Sequence, residues 1–177
     1  MRRTGGPARD SIPIMVQDLD LWSEFNVAML GATAALAGLV IVASSVNIAE
    51  IVKANTLTAR LASAIAGLVL AIVASASALI PGIDDLWYGA VLIVCALGAG
   101  VFQLNATIVI ARDPAPEDHA RVSKAVLGFL PIAAYLAAGV AIMLGHPSGL
   151  ILAAVGALIA IVVAIIVSWI VLVEVLR

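Results

Sequence analysis

The chain has 177 residues, of which 64% are hydrophobic and 11% charged, and its net charge is −2. A soluble globular domain carries about 45–50% apolar residues, glycine included, and about 25% charged ones. With a mean hydropathy of +1.20, these values exclude a soluble enzyme, a disordered chain and a nucleic-acid binder, and they describe a polytopic membrane protein.

The near-balanced charge points to no polyanionic partner. The single cysteine, Cys95, excludes an intramolecular disulfide framework, a paired-cysteine redox motif and a cysteine-built metal site. Arg2 and Arg3 look like the start of a signal peptide, but Gly5, Gly6, Pro7, Arg9 and Asp10 follow where its apolar stretch belongs. The first span is therefore expected to stay in the mature protein.

Residues 11–24 are predicted to form an amphipathic helix. Ile12, Met15, Val16, Leu19 and Trp22 share one face, and Gln17, Asp20 and Glu24 the other. Asp10 or Ser11 caps it, with Pro13 in the first turn. Two readings suit it: an interfacial helix anchored by Trp22, or a docking helix for a neighbouring subunit.

A helix needs about 20 apolar residues to cross the hydrocarbon core. Charge-free runs of that length cover 25–49, 61–83, 86–111 and 125–173. The last is twice as long and is broken by Gly145-His146-Pro147-Ser148-Gly149, a turn composition. The expected fold is all-α: five transmembrane helices in one bundle, at about 26–48, 60–80, 86–110, 122–144 and 149–173, after an N-terminal tail over 1–24. Pro81-Gly82 predicts a turn with Pro second and Gly third. Pro131 should kink the fourth span, with Gly128 one turn before it.

Basic residues near span ends set orientation. Lys53, Arg60, Arg112, Arg121, Lys124 and Arg177 fall on one side, and only Arg2, Arg3 and Arg9 on the other. This predicts an outside N-terminus and a cytoplasmic C-terminus in a bacterial inner (plasma) membrane.

Ionisable residues within the bilayer mark transport paths and proton relays. The span interiors are expected to hold none, which argues against a proton-coupled exporter or an electrogenic pump. No protease, zinc or phosphate-binding motif is present. His119 and His146 fall on opposite sides and cannot share a metal. Neither a catalytic residue nor a cofactor is expected. The uncharged polar residues remain: Gln103, Asn105 and Thr107 in the third span, and Ser44, Ser45 and Asn47 at the end of the first. Gln103 and Thr107 share a face, while Asn105 points elsewhere. Such groups hydrogen-bond between helices or line a pore.

Small residues recur at helical spacing: Gly31, Ala35, Gly38 and Ser45; Ser63, Gly67, Ala71 and Ser75; Ala153, Ala157, Ala160, Ala164 and Ser168. In lipid such stripes let helix backbones approach closely. Most are expected inside the bundle. No internal repeat supports an inverted-repeat transporter.

The stretch Gly31-Ala32-Thr33-Ala34-Ala35-Leu36-Ala37-Gly38-Leu39-Val40-Ile41-Val42-Ala43-Ser44-Ser45-Val46-Asn47, with Arg60 and Leu79-Ile80-Pro81-Gly82, resembles a group of small bacterial multi-span membrane proteins, some labelled modulators of the FtsH protease. The resemblance covers residues 25–82 and implies no catalytic residue. Val40-Ile41-Val42 departs from it where the group has an aromatic residue.

The leading functional expectation is a non-catalytic accessory, assembly or regulatory subunit of a membrane complex. Membrane lipid and other membrane subunits, or further copies of the chain, would be its partners, and nucleic acid would not. Met15, Leu19 and Trp22, with Arg112, Arg121 and Lys124 of the polar loop over 112–124, are the candidate partner contacts. The alternative is a homo-oligomeric passive channel whose axis is ringed by Gln103, Asn105 and Thr107. An enzyme using loop residues at the membrane interface is the third reading, and no nucleophile–base pair at usable spacing supports it.

Overall fold

The computed structural model describes residues 21–112 and 121–175. Every regular element among them is a helix: α1 Ser23–Val46, α2 Ile48–Lys53, α3 Asn55–Ala78, α4 Asp85–Arg112, α5 Arg121–Met143 and α6 Ser148–Val175. Four of these, α1, α3, α4 and α6, are long and apolar enough to cross a membrane. Within α5 the described apolar stretch is Leu127–Met143. The expected amphipathic helix lies outside the described residues up to position 20, and its last two residues, Ser23 and Glu24, open α1 instead.

Lipid supplies no hydrogen bonds, so a spanning backbone must satisfy itself, and a helix does so. The hydroxyls follow the same rule by returning to their own helix. Thr33 Oγ1 donates to the Met29 carbonyl at 2.6 Å, Ser44 Oγ to Val40 at 2.6 Å and Ser77 Oγ to Val73 at 2.7 Å.

The first connection departs from expectation. Residues 49–59 were expected as a loop, with the second span starting at 60. Instead the short α2 follows α1 at once, its Ile51 buried, and Lys53 pairs with Glu50 at 2.8 Å on the exposed side. Ala54 alone is extended, and α3 begins at Asn55. Thr58 Oγ1 donates to the Ile51 carbonyl at 2.9 Å and ties the two helices together.

The other two short connections match the sequence. Ile83 N–H donates to the Ile80 carbonyl at 3.2 Å across Pro81-Gly82, with Gly82 at φ 70°, which is a type II turn. At the end of α5, Gly145 takes φ 71°. His146 N–H reaches the Ala141 carbonyl (2.9 Å) and Gly145 N–H that of Ile142 (2.8 Å). This paired pattern is a Schellman cap, which needs the left-handed residue.

α3 lies centrally, packed against α1, α4 and α6, while α5 joins α4 to α6. The main core gathers Leu70, Ala71 and Ala74 of α3, Leu92 and Ala96 of α4, Tyr135, Ala138 and Ile142 of α5, and Ala153, Ala157 and Ala160 of α6. A second cluster near α2 joins Ala37 and Val40 of α1 to Leu61, Leu68, Ala164 and Val171. The small-residue stripes of α3 and α6 turn inward: Ala71, Ser75, Ala153, Ala157, Ala160 and Ala164 are buried. That of α1 does not. Gly31, Ala35, Gly38 and Ser45 are all exposed, and α1 packs through Met29, Thr33, Ala37 and Val40.

Candidate functional site

The candidate polar residues fall into three places. Gln103 is 8% exposed and faces a cavity of about 60 Å³ inside the bundle, walled by α3, α4, α5 and α6. Thr107, one turn on, donates through Oγ1 to the Gln103 carbonyl at 2.9 Å. Ser44 and Asn47 line a separate cavity of about 40 Å³ against Ser168 and Val171 of α6. Asn105 and Ser45 are exposed on the outside of the bundle. The structure thus pairs Gln103 with Thr107 and Ser44 with Asn47, and it brings the two pairs to no common site. A shared oligomer axis would require Gln103 and Asn105 to face the same way, and they do not.

The Gln103 cavity shows why each neighbour has its identity. A methyl group on Gly128 would overlap the Gln103 side-chain amide, so the glycine gives the amide its room. Pro131, also in the wall, has no N–H for the Leu127 carbonyl, which frees that oxygen beside the cavity. Arg60 and Ser63 complete the polar part of the wall, and most of the rest is aliphatic, including Ile110, Val163 and Ile170.

Arg60, expected as the residue that bounds the second span, also lines this cavity. It lies in the second turn of α3, half-buried. Its signal was present in the spacing: Arg60, Ser63 and Gly67 continue the α3 small-residue face by one step. Two further buried polar residues carried no signal in the motifs. Tyr88 and Tyr135 are 2% and 0% exposed and sit together near Ser75 at the opposite, Trp22, end of the bundle.

Among the candidate partner contacts, Trp22 turns partly into its own bundle, packing edge-on to Phe25 with ring centroids 5.5 Å apart. Arg112 is exposed at the end of α4, and Arg121 and Lys124 lie in the first turn of α5. Met15 and Leu19 lie outside the described residues. No group of three His, Cys, Asp or Glu comes together among the described residues. Comparison of the chain with family models, with curated proteins and with solved structures finds no match.

Proposed function

We propose that this chain is a non-catalytic membrane protein with five crossings, which serves as an accessory or assembly subunit of a larger membrane complex. One observation carries the reading. The small-residue face of α1 points away from the bundle, and a methyl group added at Gly31 or Gly38 would meet nothing within 4 Å. On α3 and α6 the same pattern is used for internal packing; on α1 none of the described residues covers it. Between helices in lipid, small faces of this kind permit close backbone contact where apolar bulk offers no net gain over lipid. The natural occupant is a transmembrane helix of another subunit. The resemblance over residues 25–82 to the group labelled modulators of the FtsH protease is compatible with such a role and supplies no residue assignments.

The test is the composition of the tagged protein purified from native membranes in mild detergent. The reading expects a stoichiometric second polypeptide. It also expects Gly38→Leu to release that polypeptide without lowering the melting temperature of the chain itself. A mass at a multiple of 18.0 kDa with nothing else bound, or a partner retained by the variant, overturns it.

A further inference from the structure

At the Trp22 end of the bundle, five helices converge on a cavity of about 10 Å³. Asn26 of α1, Ser75 of α3, Tyr88 of α4 and Tyr135 of α5 line it. The Tyr135 side chain is 0% exposed. Its hydroxyl oxygen is sealed from solvent and has no hydrogen-bond partner among the described residues. A phenol buried in that state has given up its bonds to water without replacement, which is costly and rare in native structures.

We propose that this cavity is a binding site for a single water molecule, which accepts a hydrogen bond from the Tyr135 hydroxyl. The volume is about one probe sphere, the least space a water occupies, and it excludes any larger ligand. The site is polar enough to hold it. A buried water takes two to four partners, and here Tyr135, Tyr88, Ser75 and Asn26 supply a phenol, a second phenol, a hydroxyl and an amide. The water would join α1 to the body of the bundle by polar contacts at a point where Trp22 and Phe25 supply apolar ones. The inference is independent of the assembly reading, since no residue of the outward α1 face takes part.

Hydroxyl radicals generated from water by a short X-ray pulse attack side chains beside bound water even where bulk solvent is absent. In the intact protein, Tyr135 is expected to oxidise along with exposed Trp87, while Ile142, equally buried but outside the cavity, stays unmodified. Tyr135 left unmodified at doses that saturate Trp87 overturns the proposal. Tyr135→Phe removes the donor and is expected to lower the melting temperature by about 2–4 °C and to reduce oxidation of Tyr88. A raised or unchanged melting temperature means a dry cavity with an unsatisfied hydroxyl, and also overturns it.

Discussion

The glycines of the spans differ in what stands where a methyl group would go. At Gly139 a Cβ would come within 2.7 Å of Ile93 Cγ1 and 2.9 Å of the Gly89 carbonyl oxygen. A backbone carbonyl cannot step aside, so α4 and α5 would have to separate. Gly139→Ala is expected to cost about 1–3 kcal/mol, as overpacking does. At Gly128 the obstacle is the Gln103 amide, the far end of a long side chain rather than backbone. Gly128→Ala should therefore cost less. At Gly38 nothing lies within 4 Å, and alanine is the better helix former by about 1 kcal/mol. Gly38→Ala should hold or raise the melting temperature of the isolated chain. Thermal unfolding of all three variants in one detergent measures the order. Gly38→Ala as the most harmful would contradict the outward placement of that face.

Single elements carry their own predictions. The cap after α5 depends on Gly145 at φ 71°, where a side chain costs about 1–2 kcal/mol. Gly145→Ala is expected to lower the stability by that amount, read as a lower melting temperature, while Gly98→Ala, on an open helix face, is not. This turn and the one at Pro81-Gly82 were legible because their residues act locally: Pro sets φ, and Gly alone accepts the left-handed region. The start of α3 was not legible, since a charge such as Arg60 reads as the edge of an apolar run. A helix starts where its backbone turns, here after the extended Ala54, and a long basic side chain is tolerated a turn or more inside. The inward face of α1 was hidden for another reason. In water the polar face of a helix marks the outside; in lipid both faces are apolar. The spacing shows that Gly31, Ala35 and Gly38 lie together, but not which way they look. Gln103 was legible as buried and polar, yet its neighbours Gly128 and Pro131 come from a different helix and share no local pattern with it.

At the scale of the whole molecule, large apolar side chains cover the outside, among them Leu39, Val42, Val94, Phe102, Leu158 and Trp169. A continuous apolar exterior of this kind needs lipid around it. The long helices alternate in direction. Trp22 at the start of α1 shares a cavity with Leu150 near the start of α6, and Ser44 near the end of α1 shares one with Val171 near the end of α6. The two termini of the bundle therefore lie at opposite ends. From the excess of basic residues at the Arg60 and Arg112 end we propose that this end faces the cytoplasm. A reporter active only outside the cytoplasm is expected to work when fused before α1 and to fail when fused after α6. The reverse pattern would overturn the orientation.

The central position of α3 has a consequence for how the protein is made. Its inward face rests on α1 and α4, which are close in sequence, but also on Ala153, Ala157 and Ala160 of α6, the last of the described helices to leave the ribosome. Until α6 enters the bilayer, Leu70, Ala71 and Ala74 face a vacancy filled by lipid. The described bundle closes only when α6 is in place, like a barrel whose final stave locks the others, and a chain cut short before α6 leaves its most buried helix open to the membrane's quality-control proteases.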